Sequence, residues 1–204
     1  MKGSSSIGWT VFATLLIIGV AQLAAYLFFR IHSVDFLMRN HNARASAYSR
    51  DHIPVLPATF RFGAGGESDS QRLGDGWNLP EPGGVWSMDN DAWIEVVLER
   101  PASAVVLRMS VMVYGTAEIP RNDFEVFVND TLVASAPSLE SGTGHTVEVV
   151  IPSKLIESGN IHMKLHVAHC ESPLRDQTGA DPRRLGVWLQ SLDILRSDGA
   201  DAQS

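Results

Sequence analysis

The chain begins with a long apolar run and continues with short segments in which apolar and polar residues alternate. Ile7 to Phe29 is a stretch of 23 residues without a charged side chain. A helix of about 20 apolar residues spans the hydrocarbon core of a bilayer. Trp9 and Tyr26 lie near its two ends, where membrane–water interfaces favour aromatic residues. The pattern predicts a single N-terminal transmembrane helix.

A cleaved signal peptide is the alternative interpretation of this run, because Lys2 provides a basic start. The apolar part of a signal peptide normally spans about 7–15 residues and leads into small residues. This run is longer and ends in bulky residues, so we expect it to stay in the lipid bilayer as an anchor. Its orientation is open. Four arginines follow the helix, and this charge bias favours a cytoplasmic location for the C-terminal side. A short N-terminal tail with one lysine, however, is also found in anchors that export the domain after the helix.

Within the run, Ala21 and Ala25 stand four residues apart, with Gln22 beside the first. Small residues at this spacing allow two membrane helices to approach closely, and a glutamine can bond across such a contact. A membrane-protein partner is therefore one hypothesis for this segment. Ordinary variation within an apolar segment is the interpretation that the spacing alone favours.

From residue 58 onward, short runs of alternating polarity are separated by Gly, Pro, Asn and Asp. The predicted strands span residues 58–62, 92–98, 104–114, 123–128, 131–135, 145–151, 161–169 and 185–195. Asn129-Asp130 joins two of these runs and is typical of a tight hairpin turn. Eight strands at this spacing, without a long helical pattern between them, predict an all-β fold: an antiparallel, jelly-roll-like β-sandwich.

These patterns divide the chain into four predicted segments. Residues 1–30 hold the N-terminal tail and the transmembrane helix, and residues 31–57 form a juxtamembrane segment that ends in a proline-containing linker. Residues 58–196 form the β-sandwich domain. Residues 197–204 are small and polar, which predicts a disordered tail.

The charge and the cysteine content of the chain limit its possible partners and cross-links. The net charge of the chain is −7. The first 54 residues contain five basic and two acidic side chains, so the predicted sandwich carries a larger negative charge than the whole chain. Binding to a nucleic-acid backbone relies on clustered Lys and Arg, so we expect no nucleic-acid partner. Cys170 is the only cysteine, which excludes an intramolecular disulfide and favours a buried thiol.

No catalytic constellation is recognisable. His162 and His166 fall on one face of a predicted strand and His169 on the other. With Glu171 as the only nearby acidic ligand, a solvated strand face is favoured over a metal site. The chain lacks a nucleophile elbow and an assignable carboxylate pair. We therefore predict a protein that is not an enzyme, with no cofactor and no metal.

The strongest local signature is the segment from Gly76 to Ser87, in which Trp77 and Trp86 flank a Pro/Gly turn. Aromatic faces in the loops of a sandwich can stack on sugar rings, while Glu81 can bond hydroxyl groups. The alternative is that the two tryptophans plug the end of the sandwich. The sequence leaves both interpretations open.

This segment and the C-terminal end resemble a β-sandwich domain of bacterial membrane proteins of surface-polysaccharide synthesis, which often follows the membrane portion of glycosyltransferases. The first matching positions are Gly76, Trp77, Pro80, Glu81, Gly84, Val85, Trp86 and Ser87. The later ones are Ser172, Pro173, Asp181, Arg183, Leu185, Gly186, Leu189 and Leu192. This chain departs from the pattern at Gly83, where an aromatic residue is common, and carries no glycosyltransferase membrane domain.

The resemblance implies an accessory or glycan-binding component of envelope polysaccharide assembly in the bacterial inner membrane, with the β domain in the periplasm. A structural subunit whose sandwich packs on a protein partner is the alternative. Trp77, Glu81, Trp86, Asp181 and Arg183 are the candidate glycan-binding residues. For Asp181 and Arg183, the favoured role is an ion pair that holds the last loop against the tryptophan segment. A planar guanidinium suits such fixed, bidentate contacts.

Overall fold

The computed structural model describes residues 20, 22–23, 41–65, 68–101 and 103–197. The chain divides into two compact units, Met1–Asn40 and His41–Ser204. In the first unit the described residues are helical, and Val20 and Leu23 are exposed. The rest of the predicted membrane helix lies outside the described residues, as does the predicted tail beyond residue 197. At the described positions, no helix has both the length and the apolar character needed to cross a bilayer.

The second unit is built mainly from β-strands in two antiparallel sheets. In chain order the strands are β1 (Ala58–Arg61), β2 (Val85–Trp86), β3 (Asp91–Val97), β4 (Val105–Val113), β5 (Arg121–Val128), β6 (Thr131–Glu140), β7 (Gly144–Ile151), β8 (Asn160–Val167) and β9 (Val187–Arg196). Sheet 1 has the order β1-β9-β4-β7, with β2 also paired to β9. Sheet 2 has the order β3-β8-β5-β6.

The antiparallel pairs are nested within one another along the chain. β1 pairs with β9, β3 with β8, β4 with β7, and β5 with β6. The strands therefore behave as one long hairpin that is rolled into two layers, which is the topology of a jelly roll. The predicted antiparallel β-sandwich is confirmed.

Alternate residues of the strands fill the space between the sheets. In β4 the inward side chains are Leu107, Met109 and Val111, and in β8 they include Met163 and Leu165; all are buried. The period of two that predicted the strands thus separates a core face from an outer face.

Most strand ends lie within two residues of the sequence prediction, and two strands differ more. β6 extends to Glu140, beyond the predicted end at 135, because register shifts in its pairing with β5 and a left-handed Ser138 (φ 65°) carry the strand past Pro137. β2 was not predicted at all, since two residues cannot show a repeating pattern.

Residues 41–51 are helical and belong to the same compact unit as the strands, although they fall in the predicted juxtamembrane segment. Ala45 and Ser49, four residues apart on one face of the helix, are buried. The Ser49 hydroxyl donates to the backbone oxygen of Glu95 at 2.6 Å. The outer surface of β3 is therefore covered at this end by the helix.

Arg72 holds this helix in place from inside the protein. Its side chain is only 4% exposed. Nη1 donates to Ser49 Oγ at 3.1 Å, and Nη2 donates to the His52 carbonyl at 2.6 Å. The guanidinium lies 4.6 Å from the Phe60 ring centroid and 5.3 Å from that of Tyr48. Burial lowers the pKa of Arg72 from its ordinary value, and neighbouring Asp69 opposes that effect. One buried cation thus joins the helix, the segment after it and β1.

The outer face of sheet 2 carries a row of paired side chains that begins under the edge of this helix. His162 bonds to the buried carboxylate of Glu95, which also accepts from Ser46 Oγ of the helix at 3.2 Å. The His162 ring stacks on Trp93 at a centroid distance of 4.3 Å. Lys164 lies 4.1 Å from the centroid of Phe127. His166 pairs with Asp91 at 2.7 Å. Of the three histidines that suggested a metal site, His162 and His166 are each bonded to a carboxylate of β3. His169 Nε2 instead lies 4.0 Å from Asp176 Oδ2.

We expect Arg72→Ala to lower the free energy of unfolding by about 3 kcal/mol, because it removes two charge-assisted hydrogen bonds, one of them to the buried Ser49 hydroxyl, and the packing of the guanidinium on Phe60 and Tyr48. Arg50→Ala, an exposed position on the same helix, is the matched control and should change stability by less than about 0.5 kcal/mol. Urea denaturation followed by tryptophan fluorescence provides the measurement. Equal losses in the two variants would contradict the role assigned to Arg72.

We also expect the contribution of His162 to stability to depend on pH. The hydrogen bond to Glu95 raises the pKa of His162 above its ordinary value, against the opposing effect of burial. The stabilisation is therefore complete below the unfolded pKa of about 6.5 and is lost as pH rises through the folded pKa. The difference in unfolding free energy between the wild type and His162→Gln should shrink from pH 5.5 to pH 8.5. A constant difference between the wild type and His162→Gln across this pH range would refute the prediction.

Candidate functional site

The two tryptophans of the signature segment have different environments. Trp77 is 7% exposed, and its Nε1 donates to the Trp93 carbonyl at 2.7 Å. Gly76 precedes it at φ 84°, and a Cβ there would lie 2.1 Å from the Asp91 carbonyl oxygen, so glycine is required. Trp77 plugs the end of the sandwich, which is the structural alternative that the sequence left open for it.

Trp86, by contrast, points away from the core. The two residues of β2 alternate, so that Val85 is buried opposite Leu189 while Trp86 lies on the outer face opposite Trp188. The rings of Trp86 and Trp188 are 5.3 Å apart at an angle of 57°, and Tyr114 meets Trp86 edge-on at 6.5 Å. All three rings are half-buried. We call Trp86, Tyr114 and Trp188 the aromatic surface.

Gly84 brings the turn before β2 directly onto the Trp188 ring. A Cβ at this position would lie 2.6 Å from a carbon of the indole and 2.6 Å from the Leu189 carbonyl oxygen. The turn itself is closed by reciprocal backbone bonds between Glu81 and Gly84. Any larger residue at Gly84 would displace the turn, the indole or both.

Three charged side chains fix the same turn to the loop that precedes β9. Arg183 Nη1 bonds to Glu81 Oε1 at 2.6 Å, and Arg183 Nη2 and Nε bond to the Asp181 carboxylate at 2.6 and 3.1 Å. This bonding lowers the pKa of Asp181 and raises the pKa of Arg183. We call Glu81, Asp181 and Arg183 the Arg183 clamp. It joins positions 102 residues apart.

The clamp and the aromatic surface share the loop from Cys170 to Leu185. Tyr114 Oη donates to Asp176 Oδ2 at 3.3 Å and lies 3.1 Å from Thr178 Oγ1. Burial is the main cause that raises the pKa of Tyr114. The Ser172 hydroxyl donates to the Asp181 carbonyl, which ties the two ends of the loop together. The third ring of the aromatic surface is therefore held by the loop as well as by β4.

Polar side chains continue the outer face of sheet 1 next to Trp188. The pairing of β4 with β9 shifts register between Ser110 and Val111, so that Gln190 is the extra residue of a bulge. As a result, Gln190 and Ser191 both lie outside the core, between the buried Leu189 and Leu192. Ser110 Oγ donates to Gln190 Oε1 at 3.0 Å. Among the described residues, the amide N–H groups of Gln190 have no hydrogen-bond acceptor.

The structure thus separates the five candidate residues of the sequence analysis. Trp77 is enclosed in the core, Trp86 belongs to the aromatic surface, and Glu81, Asp181 and Arg183 bond to one another. Trp188, Tyr114 and Gln190 were missed. Alternation placed Trp188 in a strand, but only the β2–β9 register shows that it lies beside Trp86.

No family model matches the chain, and no curated protein matches it. Solved structures with local likeness include a Clostridium perfringens ZmpB fragment with its M60 catalytic and CBM51 domains (14% identity, 56% of this chain, 11% of that chain, TM-score 0.32). A Podospora anserina GH26-CBM35 β-(1,4)-mannanase aligns at 12% identity over 69% of this chain and 28% of its own, with a TM-score of 0.36. A family 35 carbohydrate binding module from an environmental isolate aligns at 16% identity over 70% of this chain and 84% of its own, with a TM-score of 0.34. Scores this low do not establish a shared fold, so the fold assignment rests on strand order and register.

We expect Arg183→Gln to lower the free energy of unfolding at pH 7 by about 1 kcal/mol, because it removes the bonds to Glu81 and Asp181. The effect is small because all three side chains are partly exposed and solvent weakens their attraction. Since the folded pKa of Asp181 is depressed, this contribution is present above the unfolded pKa of about 3.9 and is lost as pH falls through the folded pKa. Arg175→Gln, whose partner is Glu171 and whose side chain is 78% exposed, is the control and should cost less than about 0.5 kcal/mol. Chemical denaturation at pH 7 and pH 3 tests both statements; no difference between the two variants at pH 7 would refute the clamp.

Proposed function

We propose that this chain is a non-catalytic, glycan-binding β-sandwich and that the aromatic surface is its sugar platform. The observation that carries the proposal is the pair of Trp86 and Trp188, whose rings stand 5.3 Å apart on the outer face of sheet 1. A saccharide ring presents an apolar C–H face and a polar rim, and an indole presents a broad apolar face with one polar N–H group. The two surfaces are complementary.

Rigidity supports this assignment. Trp86 and Trp188 belong to paired strands, Gly84 packs on the Trp188 ring, and the Arg183 clamp holds the turn that leads into β2. A platform that is already ordered loses little conformational entropy when a ligand arrives, and more of the contact energy then appears as affinity. Gln190 and Ser191, placed beside Trp188 by the bulge, are suited to bond the sugar hydroxyl groups.

The charges near the platform support a binding role rather than hydrolysis. Glycoside hydrolysis needs one carboxylic acid and one carboxylate that both reach the scissile bond. In the described part of the chain, the acidic side chains near the platform are bonded within the protein. Asp176 accepts from Tyr114 Oη at 3.3 Å. Glu81 and Asp181 bond to Arg183, and Asp89 bonds to Arg184 at 3.1 Å. A lowered pKa of Asp181 is also the opposite of what a general acid needs.

For the cellular setting we propose a single-pass anchor formed by Ile7 to Phe29 in a bacterial inner membrane, with the sandwich in the periplasm. The uninterrupted apolar run supports the anchor. The resemblance to domains of surface-polysaccharide synthesis supports a role in envelope polysaccharide assembly beside a membrane-protein partner. Under this proposal the anchor would keep the platform close to glycans as they are made or exported.

Trp188→Ala and Trp86→Ala test the platform. Each should weaken glycan binding by about tenfold or more, because an aromatic contact contributes roughly 1–1.5 kcal/mol beyond its buried area. The measurement is a glycan array with the full chain in mild detergent, followed by affinity electrophoresis on the best ligand. Leu132→Ala, an exposed apolar residue (49%) on sheet 2, is the control and should bind as the wild type does.

Circular dichroism and thermal unfolding accompany these assays, so that a loss of binding can be separated from a loss of fold. Full binding by both tryptophan variants would contradict the platform. A folded wild-type chain that binds no saccharide on the array would contradict the function itself.

A further inference from the structure

We propose that the saccharide bound by the aromatic surface carries a carboxylate, as a hexuronate does, and that Arg61 binds this carboxylate. The inference rests on the proposed function and deepens it by naming the ligand class. It follows from the position of Arg61 in sheet 1 and from the pairing of the charges around it.

The register of β9 places Arg61 next to the platform. β1 and β2 both pair with the same edge of β9, β2 through Trp86 opposite Trp188 and β1 through Arg61 opposite Ser191. Phe60 points into the core, so its neighbour Arg61 projects on the outer face, where it is exposed. Arg61 is therefore the next outward side chain after Trp86 along this edge, beside the polar residues of the bulge.

Among the described residues, Arg61 has no charged neighbour in its own row of sheet 1 or in the row of the platform. One row across sheet 1 consists of Trp86, Trp188, Met112 and Gly144, and the next consists of Arg61, Ser191, Ser110 and Thr146. Arg61 is the only charged residue in these two rows. The following row contains Asp193, whose Oδ1 accepts from Thr59 Oγ1 at 2.7 Å.

Asp69, which is close to Arg61, is engaged in other contacts. Its Oδ2 accepts from the backbone N–H of Arg61 at 3.0 Å, and its Oδ1 faces Arg72 Nε at 3.7 Å. Two arginines near the platform, in contrast, are paired: Arg183 with Glu81 and Asp181, and Arg184 with Asp89. Within the described part of the chain, the guanidinium of Arg61 pairs with no carboxylate.

A guanidinium offers parallel N–H donors whose spacing matches a carboxylate, and such charge-assisted bonds are stronger than neutral ones. A hexuronate would place its ring on the indoles and its carboxylate on Arg61, while Gln190 and Ser191 bond its hydroxyl groups. The chain as a whole has a net charge of −7 and repels polyanions at long range. Selection of an acidic sugar must therefore come from a local contact, and Arg61 provides it.

Affinity electrophoresis and calorimetry with the full chain in mild detergent test the inference. The probes are oligosaccharides of polygalacturonate, alginate and hyaluronan, each beside its carboxyl-reduced form, which keeps the sugar ring and removes the charge. We expect the wild type to bind at least one uronate form about tenfold more tightly than its reduced form. Arg61→Gln should abolish this preference while it retains binding to the reduced form.

Arg108→Gln is the matched control, because Arg108 lies on the same face but is paired with Glu148; it should keep the preference. Trp188→Ala should weaken binding of both the acidic and the carboxyl-reduced oligosaccharide. This result separates the contribution of the aromatic surface from that of the Arg61 charge. Equal affinity of the wild type for acidic and reduced forms, or an unchanged preference in Arg61→Gln, would overturn the inference and leave the proposed function standing. Tighter binding of a phosphorylated saccharide than of any uronate would also overturn it. Failure to bind any saccharide would overturn both.

Discussion

The register of β9 is the constraint on which the outer face of sheet 1 depends. This strand pairs with β1, β2 and β4, and through these pairs it places Trp86, Arg61 and Ser110 around Trp188 and Ser191. Because side chains alternate along a strand, a slip of one residue would turn Trp188 into the core and Leu189 to the outside. The buried Val187, Leu189, Leu192 and Ile194 oppose such a slip, so the hydrophobic core determines the geometry of the surface.

β2 shows why this surface needs support beyond a hydrophobic core. Two residues make too few ladder bonds to hold a strand in place, and yet Trp86 must stand beside Trp188. The additional restraint comes from both sides of β2: Trp77 is buried before it, Gly84 packs on the Trp188 ring, and Arg183 holds Glu81 to the loop before β9. A short strand is thereby fixed by contacts that are distant in sequence.

The sequence was informative wherever the determining forces were local. Period-two alternation identified the long strands, and the same rule put His162 and His166 on one face. It could not show that they bond to Glu95 and Asp91, because that requires the pairing of β3 with β8. Trp77 and Trp86 looked equivalent, since both flank the same turn. Their different burial is decided by the core beneath Trp77 and by Trp188, residues that are remote in sequence.

The two outer faces of the sandwich differ in how many of their polar and aromatic side chains already have partners within the protein. On sheet 2 the helix of residues 41–51 covers Glu95, His162 stacks on Trp93, and Lys164 lies over Phe127, so charges and rings are partnered within the protein. On sheet 1 the rings of Trp86 and Trp188 border hydroxyl, amide and guanidinium groups, of which Arg61 has no carboxylate partner among the described residues. A ligand gains most where polar groups are ordered but not yet bonded. That difference, more than the number of aromatic residues on either face, is why binding is assigned to sheet 1.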